Sequence, residues 1–271
     1  MKVRRVLTIV AVALLLLLNA SPASQAQSMQ TESNEWQFVA PIFYYWVFQV
    51  DGDISAKGKT RDADLSIGGV LEDLDLNVQV YLEVDKGDWG AFVEPTFFNF
   101  SGESKQGGSK FKDSVDIALV DFAVQYRVWH TRDPKPMSIY AMAGVRYWNY
   151  DIQADGKGAA APDANAHLDI IDPIIGARFR MDITEKLHLG TRFDVGGFGL
   201  TDKQSHFTWQ TWVLLNYDVT KRFTVFGGYR ALGLNYDENH GSQHKGVDVI
   251  FSGPVIGINF DVFGWLADRK K

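Results

Sequence analysis

Residues Phe207 to Arg230 read FTWQTWVLLNYDVTKRFTVFGGYR, and their alternation decides the fold. One parity carries Phe207, Trp209, Thr211, Val213, Leu215, Tyr217 and Val219; the other carries Thr208, Gln210, Trp212, Leu214, Asn216 and Asp218. A period of two over a dozen residues marks a strand, because successive side chains leave opposite faces of a pleated backbone. A tight connection through Lys221 and Arg222 follows. Phe223, Val225, Gly227 and Tyr229 then alternate with Thr224, Phe226, Gly228 and Arg230. A broad apolar face with aromatics towards its ends, opposite a face holding an arginine, is the pattern of a strand between lipid and a polar lumen.

The chain opens with Lys2, Arg4 and Arg5, an apolar run from Val6 to Leu18, and small residues at Ser24 and Ala26. This predicts a secretory signal peptide over residues 1–26. The apolar run falls short of the ~20 residues a transmembrane helix needs. A polar periplasmic leader over 27–34, a single barrel domain over 35–265 and a periplasmic tail over 266–271 are expected to follow. Removing the signal peptide leaves 24 Lys and Arg against 33 Asp and Glu, a net charge of −9. Such acidity excludes a nucleic-acid binder, which needs a basic stripe. With no cysteine in the chain, an exported fold must be held without disulfides, and barrel ladders supply that.

Ten segments alternate in this way, beginning with Trp36–Val50 and ending with Val247–Phe263. In the first, Trp36, Phe38, Ala40, Ile42, Tyr44, Trp46 and Phe48 share one parity. In the fourth, the apolar–polar order slips upstream of Asp121, which predicts a β-bulge there. In the tenth it slips near Gly257, which turns Asn259 and Asp261 inward. Short connections follow the even-numbered strands. Longer ones, rich in Gly, Asp, Ala and Lys, follow the odd-numbered strands. Short periplasmic turns, long external loops and an even strand count define outer-membrane barrels. The fold class expected is therefore all-β: a closed antiparallel transmembrane β-barrel of about ten strands, with eight or twelve as alternatives. The segment Asp51 to Leu74 carries that uncertainty. It holds either an extra hairpin over Ile54 to Ile67 outside the membrane or two further strands, with one helical turn over Val70 to Leu74. The competing class is a soluble periplasmic barrel or sandwich with its apolar face buried. Mid-strand arginines and carboxylates sharing faces with large aromatics and glycine speak for an enclosed polar lumen instead.

The inward parity collects Glu94, Asp121, Arg146, Arg178, Arg192, Asp194 and Arg230 at similar depth. Strand adjacency sets Asp121 beside Arg146, and Arg178 beside Arg192 and Asp194. Two readings stay open. The charges pair into a network that fills a poorly hydrated lumen, or they form a constriction that selects solutes.

Catalytic signals are thin. His188 faces inward near the periplasmic end without a serine at a matching position, and nucleophilic catalysis needs the base within reach of its nucleophile. His240 and His244, beside Asp237 and Glu238, are metal-ligand types in one external loop; two histidines in such a loop fit solvation better, and no metal or other cofactor is expected. His167 and Asp169 near another loop are equally unspecific. The external loops, including Gly102 to Lys110 and Gly156 to Ala166, offer binding or adhesion surfaces with no ligand named by their sequence.

Leu65 to Gly69 leading to Asp73-Leu74-Asp75, Lys86 to Gly90, Gly144 to Trp148, Gly228 to Leu232 and Gly253 to Gly257 resemble the broad family of small bacterial outer-membrane β-barrel proteins, OmpA-like in style. The resemblance implies an outer-membrane barrel without an established activity. The resulting expectation is a non-enzymatic barrel of the outer membrane, either structural or a narrow, gated small-solute channel. A loop-mediated ligand or adhesion barrel is the alternative, and a barrel-embedded hydrolase a more distant one. The expected partners are outer-membrane lipid, periplasmic chaperones and the barrel-assembly machinery.

Overall fold

The structure, a computed structural model, describes residues 36–56, 59–106, 109–132, 135–157, 164–238 and 245–260. The expected signal peptide, leader and C-terminal tail, and His240 and His244, lie outside the described residues.

Alternating, β-branched and aromatic-rich segments form one antiparallel sheet of 14 strands that rolls into a nearly closed barrel. The first stave of its wall is broken into β1 (Gln37–Val39), β2 (Pro41–Trp46) and β3 (Gln49–Ala56). The second is broken into β5 (Leu74–Gln79) and β6 (Leu82–Lys86). The remaining staves are β7 (Trp89–Gln106), β8 (Ser109–Thr131), β9 (Met137–Lys157), β10 (Ala164–Asp182), β11 (Leu187–Gly197), β12 (Phe207–Thr220), β13 (Phe223–Glu238) and β14 (Lys245–Phe260). With broken strands counted once the wall has ten staves; β4 (Lys59–Asp62), laid against β3, makes eleven strands. The segment before Leu74 is thus a hairpin arm followed by a helix, α1 (Ile67–Asp73), capped by Ser66, whose hydroxyl accepts from Gly69 N.

The first stave closes the ring in two places. β1 pairs with β6, while β2 and β3 pair with β14. Above β1, no backbone ladder joins β2 to β5 among the described residues. The side chain of Gln79 takes its place: Oε1 accepts from Trp46 N at 2.9 Å and Nε2 donates to Trp46 O at 3.0 Å. One side-chain amide thereby serves both backbone groups of a residue whose ladder partner is missing on that side.

Turns at Gly87-Asp88, Ile183 to Lys186 and Lys221-Arg222 mark one end, where both limits of the described chain also lie. At the other end, β7 and β8 stay in register out to Gln106↔Ser109. The loop expected over Gly102 to Lys110 is therefore mostly ladder, and the described residues of the one expected over Gly156 to Ala166, namely 156, 157 and 164–166, belong to β9 and β10. The β11–β12 loop leaves through Gly197, Phe198 and Gly199, three successive left-handed residues (φ 90°, 68° and 58°), and folds inward. Ser205 N and Oγ both donate to the buried carboxylate of Asp172.

Parity holds where the sequence suggested slips. β8 keeps register from Lys110 to Arg127, and its irregularity lies between Arg127 and Trp129, not upstream of Asp121. Ile117 and Leu119 face inward with Asp121 because the lumen there is apolar. In β14, Val249, Phe251, Gly253, Val255 and Gly257 are all buried and Asn259 continues the same parity, so no slip occurs near Gly257. In the first stave the single face does break. Trp36 and Ile42 are exposed, while Trp46 and Phe48 are buried, and a register shift falls between Ile258 and Asn259 of the partner strand.

Candidate functional site

The interior is built in tiers along the barrel axis. The tier nearest the long-loop end is aromatic and aliphatic. Trp46, Phe48, Phe98, Trp148, Phe251 and Leu232 pack there, with Val70 of α1 against them. Phe48 and Phe98 meet edge-on at 4.7 Å between ring centres, one of the favourable aromatic geometries.

Beneath it lies a layer of ion pairs. Glu94 on β7, Asp121 on β8, Arg146 on β9, Arg192 and Asp194 on β11 and Arg230 on β13 are each at most 1% exposed. Arg146 donates through Nε and Nη2 to the two oxygens of Asp121 at 2.8 and 2.9 Å, and Nη2 also reaches Asp194 at 2.8 Å. Arg192 serves three carboxylates: Asp194 at 2.7 Å, Asp121 at 2.8 Å and Glu94 at 3.2 Å. Arg230 Nη1 donates to Glu94 at 2.6 Å, its other nitrogens meet Gln210, and its plane lies 4.4 Å from the Trp46 ring centre. Register places Glu94 directly opposite Asp121, a repulsive cross-strand pair by itself. Arg192 resolves it by bridging both. Three guanidinium groups and three carboxylates thus form a neutral septum across the lumen, every charge partnered as burial demands.

Arg178 stands apart from that septum. Its Cα is in register with that of Arg192, as adjacency predicted, but its side chain turns towards the short-turn end. There Nη1 donates to Glu83 at 2.9 Å and to Gln125 at 2.8 Å, while the guanidinium sits between the rings of Phe92 and Trp212. Arg180 also pairs with Glu83 and lies 3.5 Å from Asp85. Sequence reasoning left Glu83, Asp85, Arg180 and Gln125 out of the candidate set, although all have inward parity. Their distance from the central layer hid them, because a charge outside it had no neighbour to suggest a role. A cavity of about 120 Å³ opens beside this second cluster.

At the short-turn end His188 is buried between two carboxylates, Nδ1 at 2.7 Å from Asp182 and Nε2 at 3.1 Å from Asp218. Both ring nitrogens are occupied, and Thr224 Oγ1 donates to Asp218, so neither nitrogen faces a hydroxyl it could activate.

The outer surface carries a belt of exposed apolar side chains. It includes Phe122, Ile175, Phe193, Val213, Tyr229 and Ile256 on six different strands. On β12 the outward parity runs from Phe207 to Val219. Twelve steps of ~3.3 Å at a tilt of ~40° give about 30 Å of height. Beyond Ile171, the last exposed large apolar residue of β10 among those described, the outward parity becomes polar. His167 there contacts Asp169 at 2.7 Å and Asp151, and Asp169 accepts from Tyr147 and Asn149. The hydrogen bond to Asp169 leads in holding the His167 imidazolium above the ordinary histidine value, against a smaller opposing effect of burial, with Asp151 adding support.

No protein-family model matches the sequence, and no curated protein matches it. Among solved structures, the crystal structure of the P. putida toluene transporter TodX aligns over 86% of this chain and 91% of that chain, at 8% identity and a TM-score of 0.26. A likeness so slight carries no functional information.

Proposed function

We propose that this protein is a bacterial outer-membrane β-barrel, closed at rest by the septum, that is structural or admits small solutes only when the septum's ion pairs part. The membrane assignment is supported by the apolar belt: soluble monomers rarely expose contiguous apolar surface beyond a few hundred Å², and lipid requires the backbone pairing a barrel provides. By this reading the short-turn end is periplasmic, and outer-membrane lipid, periplasmic chaperones and the assembly machinery are the partners. No catalysis is assigned. The long β7–β10 ladders beyond the belt favour a second reading, in which these external arms bind a ligand.

The observation that carries the closed-at-rest reading is the threefold coordination of Arg192, which ties β11 to carboxylates on β7 and β8 across the lumen. Planar-bilayer recording tests it, with insertion verified by heat-modifiable migration on gels. The wild type is expected to be silent and Arg192→Ala to show discrete openings. A steady wild-type conductance overturns closure, and a silent Arg192→Ala overturns the septum as the gate.

A further inference from the structure

β11 stops at Gly197, but its neighbour β10 continues beyond Ile174, where their pairing ends, as far as Ala164. Residues 198–206 fill the notch left in the wall, lying across it as a strap rather than as a strand. Ile171 N on β10 donates to Lys203 O at 2.8 Å, Tyr236 Oη on β13 to Asp202 O at 3.2 Å, and His206 N to Asn235 O at 2.9 Å. Ser205 is the catch. Its N and Oγ donate to the two oxygens of Asp172 at 2.7 and 2.8 Å, and its carbonyl accepts from Gly199 N at 2.9 Å, which closes the neck of the strap.

Two features put the docked strap under load. Phe198 holds a left-handed backbone (φ 68°), which a bulky residue keeps only where its surroundings impose it. Asp172 is fully buried, and its carboxylate meets Ser205 but no paired cation among the described residues. A buried carboxylate without a cation is costly. Directly across the ladder from Asp172 stands Arg146, one of the septum's three guanidinium groups. Arg146 Nη1 also donates to Thr208 at 3.1 Å, and Thr208 lies only three residues beyond Ser205. The foot of the strap thus touches both the spare carboxylate and the septum.

We propose that this strap is the septum's latch. While Ser205 holds both oxygens of Asp172, Arg146 keeps Asp121 and Asp194 and the layer stays shut. When the strap lifts, Asp172 loses its donors, and Arg146 across the ladder replaces them. Asp121 and Asp194 then each lose a partner, and the layer parts. The inference rests on the proposed closure by the septum and adds what releases it.

Trypsin nicking after Lys203, identified by fragment mass, reads the strap; planar-bilayer recording reads the septum. Both use the full-length refolded protein. Lys203 is exposed, but its carbonyl is engaged by Ile171, so cleavage waits for lifting and its rate follows the lifted fraction. Ser205→Ala removes one hydrogen bond to a charged group, and is expected to speed nicking about tenfold or more and to give openings. Ser205→Ala with Asp172→Asn should be nicked as fast yet stay silent, because a neutral amide is a poor rival for Arg146. A mere weakening of the fold would make that double variant the leakier of the two. Unchanged nicking of Ser205→Ala overturns the catch, and openings that persist in the double variant overturn the exchange. Fast nicking without openings, while Arg192→Ala conducts, overturns the latch and leaves the septum reading standing. Silence of Arg192→Ala as well removes both. Should the double variant fail to insert, Asp172→Asn alone decides: it should be nicked fast and silent, and openings overturn the exchange.

Discussion

Arg192 Nη2 donates to Asp121 Oδ2 at 2.8 Å across the lumen, from β11 to β8, although β9 and β10 stand between them in the wall. Asp121 at the same time holds Arg146 of the neighbouring strand. The two arginines therefore share one acceptor, and the strands they belong to cannot shift independently. Removing Arg192 strips a partner from three buried carboxylates. Arg192→Met is expected to lose about 3–5 kcal/mol, the scale of breaking one side of a buried pair. Combined with Asp121→Asn, it should show a coupling of ~1–3 kcal/mol in a double-mutant cycle. Urea titration of folding into lipid vesicles measures both, and additive effects would mean the septum is not one unit.

Gln79 offers a chemically sharper test. Gln79→Glu keeps the acceptor for Trp46 N but sets a carboxylate against Trp46 O and near Asn77, whose Oδ1 now accepts from Gln79 Nε2. A protonated carboxylic acid, by contrast, accepts and donates once, so it restores the bond to Trp46 O while leaving Asn77 without its donor. The variant should therefore melt below wild type at neutral pH and regain heat resistance as pH falls through the carboxyl's titration, whereas Gln79→Ala should be lower at both. One neutral hydrogen bond is worth about 1 kcal/mol. Heat-modifiable migration across a pH series reads the difference.

The outer belt separates lipid from water directly. Val213 lies midway along the outward parity of β12, and Val219 at its end; both are exposed. In a bilayer, Val213→Arg should cost ~2–4 kcal/mol and Val219→Arg only ~0–1. For a barrel standing in water the two would be alike. Vesicle-folding titrations of both variants decide it.

His167 gives the rim at the long-ladder end a pH dependence. Its folded-state value is raised, so the folded protein holds a proton that the unfolded chain releases first. The resulting stabilisation is complete below the unfolded value and disappears as pH rises through the folded one. Wild type should thus exceed His167→Gln in thermal midpoint at mildly acid pH, and the gap should narrow towards alkaline pH. A constant gap across that range would mean the proton plays no part.

Much of this fold could be read from alternation alone. The parity of Arg146, Arg192 and Arg230 and the turns at Gly87 and Lys221 follow from local pattern, whereas the segment before Leu74 left a hairpin and two further strands equally open. Two further things did not follow. The lumen changes from charged to aromatic along its axis, so Ile117 and Leu119 looked displaced when they were in register. Strand order also names only neighbours. It paired Arg146 with Asp121, but it could not foresee that Arg192 would reach Glu94 or that Arg178 would turn away to Glu83, because those contacts cross the open interior.

The septum's three cations and three anions have a consequence for what can move it. In the proposed membrane setting, an electric potential pulls on net charge, and this assembly has none, so a voltage stretches the individual bonds in opposing senses and exerts almost no force on the whole. Voltage is a poor key for such a lock. If the septum opens as proposed, what loosens it is chemical: ions or charged solutes that offer the arginines or the carboxylates a rival companion.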